Sequence, residues 1–252
     1  GVPQGRHVHS LLKGGQDVLN HYFPGLTADM VRDGSVEVDL GQDIIWQHSG
    51  GWKRRFVSGV RMQCQSKAFL EWSVRQRLQD RPDLSLRDGV GVSGLLLREG
   101  RIAGVRLADD SQIEADLVID ASGRSSYAPR FLQDHGLPAP AVTELPVNIG
   151  YASQIFRPGP AARDWRGMLI HSSPPATRTA ALMPLEDGNW IVTTLCMLNA
   201  LQPFLSDSAT LRGAVSAVVC CEPTVQFRLF NRVAGVTGLL GRADAPFCVG
   251  PP

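Results

Sequence analysis

The stretch with the most chemical content is Glu114-Ala115-Asp116-Leu117-Val118-Ile119-Asp120-Ala121-Ser122-Gly123-Arg124-Ser125-Ser126. Its apolar run, Leu117 to Ile119, reads as a fully buried strand that ends abruptly in small residues. Ligands of open α/β sheets sit at the carboxyl ends of strands. Ala121, Ser122 and Gly123 lack bulk, so a cofactor could approach their backbone closely. Arg124 offers a fork of donors to a phosphate, and Ser125 and Ser126 add hydroxyls. A tight turn with a solvent-facing arginine satisfies the same residues. A second place is the His7/His9 pair. Imidazoles two residues apart are compatible with a metal pair, but no third ligand is evident, and core or surface histidines explain them equally well. A third is Lys53-Arg54-Arg55 between Trp52 and Phe56, either a solvated charge run at a strand or loop edge or a contact for an anionic ligand.

Gly89-Val90-Gly91-Val92-Ser93-Gly94 satisfies GxGxxG, with Asp109 twenty residues after Gly89. That is the outline of a dinucleotide fingerprint. The pyrophosphate, however, needs a helix N-terminus, and Leu95 to Leu107 would have to be that helix. Gly100 and Gly104 each cost about 1 kcal/mol in a helix interior, and Glu99-Gly100 turns naturally. A β-meander is the better reading: Val90 to Leu97, Ile102 to Leu107, a turn at Asp109-Asp110-Ser111, then Ile113 leading into Leu117.

The elements that must position these groups follow from patterning. Of 252 residues, 43% are hydrophobic and 19% charged, enough to bury a core and against disorder. With 25 basic and 24 acidic residues the net charge is +1, without the basic excess of a nucleic-acid binder. Five cysteines, 64, 196, 220, 221 and 248, form no CxxC or metal spacing and read as reduced thiols of a cytoplasmic protein. No apolar run approaches a membrane span, and no signal peptide is visible. Helical spacing predicts a helix over Ser10 to Tyr22 capped by Ser10, a short amphipathic piece with Leu26, Met30 and Val31, and a helix from Ser66 to Gln79 with Leu70, Val74 and Leu78 on one face. Ile44-Ile45-Trp46 and Phe56, Val57 and Val60 read as strands about a Ser49-Gly50-Gly51 turn, and Leu84 to Leu86 as a short strand. Beyond Pro138, Pro140 and Pro146, a mostly antiparallel sheet is expected from Val147 to Phe156, Met168 to His171, Thr179 to Met183 and Trp190 to Leu195. Asp187-Gly188 is its hairpin signal. Leu211 to Val219 is a further candidate helix.

The chain resembles FAD-dependent monooxygenases related to para-hydroxybenzoate hydroxylase, and more narrowly a bacterial branch of FAD-dependent oxidoreductases. The resemblance rests on Asp116 to Ser126 after a β-meander, and on Pro3, Gln4, His7, His9, Leu11, Leu12, Gly14 and Gly15. It rests further on Phe23 to Leu26, on Ser66, Lys67, Leu70 and Glu71, on Gly150-Tyr151-Ala152, and on Glu186, Gly188 and Trp190 to Thr193. It covers roughly residues 1 to 232. It implies an α/β fold: a partial Rossmann-like FAD-binding domain of the glutathione-reductase type over 1–137, with a strand excursion near 36–60. An antiparallel-sheet substrate domain over 138–234 and a return segment or irregular tail over 235–252 complete it.

The resemblance also implies the site. Arg6, His7, His9 and Lys67 would contact FAD, with Lys67 a point charge where relatives carry the arginine fork. Ala121, Ser122, Gly123 and Arg124 would lie along the cofactor, although Tyr127 stands where relatives often have arginine. Tyr151, Met183 and Trp190 would line the substrate pocket, with plain core packing as the other reading. NADPH or NADH would supply hydride, oxygen the oxidant, and an aromatic or polycyclic small molecule would be oxygenated. The chain names no catalytic acid or base of its own for this step. A reductase of isoprenoid double bonds and a non-catalytic flavoprotein remnant stay open; a halogenase is less expected, without the tryptophan-rich motif. The first strand, the true GxGxxG and the ribose-binding acid of such enzymes would precede Gly1, and Asp244 in Gly241-Arg242-Ala243-Asp244-Ala245-Pro246 would be a displaced form of their second flavin motif. Without that first segment, three charge-assisted hydrogen bonds of roughly 1.5–3 kcal/mol each would be lost, so weak FAD binding is expected of these residues alone.

Overall fold

The computed structural model describes residues 3–49, 51–123, 126–143, 149–158, 163–173, 178–197 and 227–229. The candidate helix at 211–219, Arg124, Ser125, Asp244 and the tail lie outside them. The chain divides into two compact units, Gly1–Asp80 with Val147–Pro252, and Arg81–Pro146. The expected first domain, 1–137, is therefore spread over both.

The first unit is built on a seven-stranded sheet. In chain order its elements are β1 (Ser10–Leu11), α1 (Lys13–Tyr22), α2 (Leu26–Arg32), β2 (Val36–Asp39), β3 (Ile44–His48), β4 (Gly51–Trp52), β5 (Arg61–Cys64) and α3 (Lys67–Gln79). The sheet order is β13-β9-β12-β11-β10-β3-β4, with β9 (Ile149–Pro158), β10 (Gly167–Ile170), β11 (Thr179–Pro184), β12 (Trp190–Met197) and β13 (Phe227–Leu229). Pairing is antiparallel except between β10 and β3. The four strands expected after Pro146 are thus present, and the excursion near 36–60 adds two more at one edge. A short 3-10 helix, Glu186–Gly188, joins β11 to β12, with Asp187 at φ 59° and Gly188 at φ 68°.

Period-two alternation gives this sheet two buried faces. Phe156, Trp165, Met168, Leu182, Trp190 and Val192 form the cluster on one face. Ile44, Met183 and Ile191 carry the other, beneath Val38, Met62 and Cys64 of a small antiparallel sheet ordered β1-β5-β2. Gly167 sits between Ile44 and Met183, where a Cβ would come within 2.5 Å of Ile44 Cδ1.

Several expectations need correction. Ser10 does not cap α1; it pairs with Cys64 in β1, and Leu12 is the N-cap. The apolar stripe of α1 stays open, with Val18 and Tyr22 exposed and Gln16 buried, because Gln16 Nε2 donates to the Leu11 and Arg61 carbonyls. Phe56, Val57 and Val60 form no strand. The buried Asp39 carboxylate accepts from the backbone N–H of Gly41, Gln42, Ser58 and Gly59 and from the Ser58 hydroxyl, which draws 53–60 into an irregular loop. Arg55 in that loop pairs with Asp164. α3 matches the expected helix. Ser66 is its N-cap, accepting from Phe69 N at 3.1 Å, while Glu186 accepts from Ser66 N at 2.8 Å.

The second unit contains the meander β6 (Val92–Arg98), β7 (Arg101–Leu107) and β8 (Gln112–Glu114), followed by α4 (Ala128–Asp134). Glu99 at φ 49° and Gly100 at φ 75° make the first turn. Gly91 and Gly94 therefore stand before and within a hairpin strand, with no helix after them. Leu84 to Leu86 form no strand. Neither do Leu117 to Ile119, and Leu117 and Ile119 are 75% and 80% exposed. No strand among the described residues pairs with that run, so Leu117 and Ile119 stay uncovered while Val118 is half-buried.

Candidate functional site

The N-terminal segment crosses the large sheet and is fastened to it by hydroxyls. Val8 packs against the cluster under the small sheet, and its N–H donates to Thr193 Oγ1 at 3.0 Å. Thr193 is fully buried and lies 2.7 Å from Ser153 Oγ, its cross-strand partner on β9. Ser153 Oγ in turn lies 2.8 Å from His7 Nδ1. The His7 ring packs on Tyr151 with centroids 5.3 Å apart and planes tilted by 36°. His9 Nδ1 donates to the His7 carbonyl at 3.0 Å. Burial, and secondarily the charge of His9, hold the His7 imidazole below its ordinary value of 6.5, so its neutral form is favoured at neutral pH.

Two more of the residues expected to meet a cofactor, Arg6 and Lys67, belong to the same unit. The 3-10 helix Pro3–Arg6 packs against α3. Arg6 is exposed and has no ion pair among the described residues. Lys67, in the first turn of α3, pairs with Glu71 one turn on. The Lys67 ammonium beside it holds the Glu71 carboxyl below its ordinary value. Arg6, His7, His9 and Lys67 all belong to the first unit.

Ala121, Ser122 and Gly123 lie in the second unit and are exposed. Asp120 organises them: its carboxylate accepts from Ser122 N at 2.9 Å, from the Ser122 hydroxyl at 2.5 Å and from the Ser126 hydroxyl at 2.7 Å. Those hydroxyls, the Ser122 one foremost, lower Asp120 to about 2. Ser122 and Ser126 are therefore committed to a carboxylate.

Of the residues expected to line a substrate pocket, Tyr151 is 47% exposed beside His7. Met183 and Trp190 are buried, and on opposite faces of the sheet. Met183 packs with Ile44 and Ile191; Trp190 packs edge-to-face on Trp165, with Arg163 over its ring. Trp190 also borders a cleft of about 340 Å³ with Arg163, Trp165 and Leu185. Ser153 and Thr193 were missed in the sequence. Their signal was faint: a hydroxyl at the inward position of two strands, between Tyr151 and Ile155 and between Ile191 and Leu195. Among the described residues no group of three or more His, Cys, Asp or Glu side chains could hold a metal. No helix among them is long and apolar enough to cross a membrane.

Comparison with known proteins bears on this architecture. No family model matches the sequence. Protein Rv3254 of Mycobacterium tuberculosis is 29% identical over 220 residues, which cover 80% of this chain and 46% of that protein. Among solved structures, PqsL of Pseudomonas aeruginosa, a probable FAD-dependent monooxygenase, superimposes with a TM-score of 0.67 at 18% identity, over 87% of this chain and 61% of PqsL. The fold is that of FAD-dependent monooxygenases. The p-nitrophenol 4-monooxygenase PnpA of Pseudomonas putida DLL-E4 agrees, with a TM-score of 0.57 at 14% identity over 86% of this chain and 53% of PnpA. The chain spans about half the length of Rv3254, 46%, and under two thirds of PqsL.

Proposed function

We propose that this protein is an FAD-dependent oxidoreductase, a monooxygenase that uses NADPH or NADH and oxygen to oxygenate an aromatic or polycyclic small molecule. The observation that carries the reading is the likeness in fold to PqsL and PnpA across most of the described chain. PqsL has been solved with the small aromatic ligand 2-aminobenzoylacetate.

The side chains present fit a flavin nucleotide at the N-terminal cluster. Arg6 is an exposed cation, and His7 and His9 bring ring nitrogens whose partners are hydroxyl and backbone groups of the fold itself. Lys67 would exchange Glu71 for a phosphate. When bound, FAD supplies hydride acceptance and the activation of oxygen. The chain's own residues do the binding and orienting. Arg6 and Lys67 would neutralise phosphate charge. His7 would meet the ring system as an uncharged group, and Tyr151 would offer an aromatic surface beside it. Met183 and Trp190, buried on opposite faces, would shape the sheet beneath rather than touch one ligand together.

The test is to supply the purified chain with excess FAD, mix it anaerobically with NADPH or NADH, and follow flavin bleaching with and without aromatic candidates. The reading predicts reduction that an aromatic ligand accelerates. A folded protein whose bound FAD neither nicotinamide reduces would refute the nicotinamide-dependent part, and, once oxygen is admitted, formation of a reduced but never oxygenated product would replace monooxygenase with reductase.

A further inference from the structure

Donors and acceptors around His7 and His9 can be assigned atom by atom. Thr193 Oγ1 accepts from Val8 N and lies 2.7 Å from Ser153 Oγ, the one hydroxyl partner it has among the described residues, and a buried hydroxyl proton needs an acceptor. Thr193 is fully buried, so no water takes that proton. Ser153, accepting from Thr193, has its own proton free to donate to His7 Nδ1 at 2.8 Å. A ring nitrogen that accepts carries no proton, so the neutral His7 ring holds its proton on Nε2. His9 is arranged the other way. Its Nδ1 lies 3.0 Å from the His7 carbonyl, which only accepts, so Nδ1 carries the proton and the neutral ring keeps a lone pair on Nε2.

We propose that Ser153 and Thr193 are positioning residues that hold His7 as the Nε2–H tautomer, so that segment 7–9 offers a ligand one uncharged donor at His7 and, whenever the His9 ring is neutral, one lone pair at His9. The ligand chemistry that uses both is a planar heterocycle with a carbonyl beside a ring N–H, an imide or lactam edge. The identity of that heterocycle as the flavin ring rests on the FAD reading above; the tautomers do not.

Long-range 15N–1H spectra of the labelled full chain read the tautomers directly, with His7 assigned by its loss in His7→Gln. The expected result is an unprotonated Nδ1 and protonated Nε2 at His7, and the reverse at His9. Ser153→Ala should release His7 into a mixture of tautomers, and Ser153→Thr should restore one. A wild-type His7 protonated at Nδ1, or a folded Ser153→Ala chain with unchanged ring signals, overturns the proposal; the wild-type spectrum decides even if the alanine variant does not fold. Lumiflavin, which carries the imide edge without ribose or phosphate, probes the ligand. Ser153→Ala should weaken its binding about two- to tenfold, the worth of one hydrogen bond, and N3-methylation of the probe should weaken binding to the wild type similarly. Insensitivity to both changes overturns the assignment of the ligand edge. The assigned tautomers with no binding of lumiflavin or FAD would refute the FAD reading and leave the relay in place.

Discussion

Replacing Gly104 by alanine should unfold the meander of the second unit. Gly104 stands in β7 at φ 148°, opposite Glu114 of β8. A Cβ there would lie 2.1 Å from the Ile113 carbonyl oxygen and 2.9 Å from Glu114 Cα. Both obstacles are backbone, so no side-chain rotation relieves them. Restoring an ordinary contact of about 3.4 Å requires β7 and β8 to part by roughly 1.3 Å, which stretches hydrogen bonds of about 2.9 Å beyond useful length. Holding alanine at this φ costs about 1–3 kcal/mol. Each of one or two lost strand bonds adds about 1 kcal/mol, including Ala115 N to the Ala103 carbonyl, now 2.9 Å. The total is about 3 kcal/mol. Urea denaturation followed by circular dichroism, with amide exchange over 92–114, measures it. A loss under about 1 kcal/mol, or unchanged exchange protection in β8, would refute the argument that this glycine is required by close backbone approach.

Two further outcomes follow from the first unit. Asp39 is held below the ordinary carboxylate value of 3.8, first by the Ser58 hydroxyl and then by backbone N–H groups. The unfolded chain therefore binds the proton more readily, and this stabilisation is present above pH 3.8 and lost as pH falls from there toward the folded value. His7, also lowered, acts in the same direction between 6.5 and its folded value. Asp39→Asn should flatten the acid limb of a pH–stability profile and His7→Gln the limb below 6.5; profiles parallel to wild type would contradict both assignments. Ser66→Ala removes the cap of α3 and should cost about 1 kcal/mol in thermal or chemical denaturation, whereas a neutral result would mean that Glu186, bonded to Ser66 N, holds the helix start by itself.

What was legible in the sequence had a local cause. Glu99-Gly100 and Asp187-Gly188 turn because of their own backbone preferences, α3 starts at Ser66, and β9 to β12 alternate for the sheet they enter. What was not legible depends on partners far along the chain. Phe56 and Val57 look like strand residues, but Asp39 ties up Ser58 and Gly59. Ser10 looks like a helix cap, but Cys64 recruits it into a strand. Leu117 to Ile119 read as a buried strand because their composition says nothing of which neighbour covers them. At the site, the type of His7 was visible, but its hydroxyl partner Ser153 lies 146 positions away, and no spacing rule connects them.

The central claim is that this chain carries an FAD-binding surface at its N-terminal cluster. It is tested most directly by titrating the folded chain with FAD up to millimolar concentration and recording flavin absorption and fluorescence, beside the Arg6→Ala and His7→Gln variants. The account predicts a saturable, perturbed flavin spectrum whose midpoint moves to higher FAD in both variants. An unperturbed spectrum across the whole range, or binding that both variants leave unchanged, would contradict it.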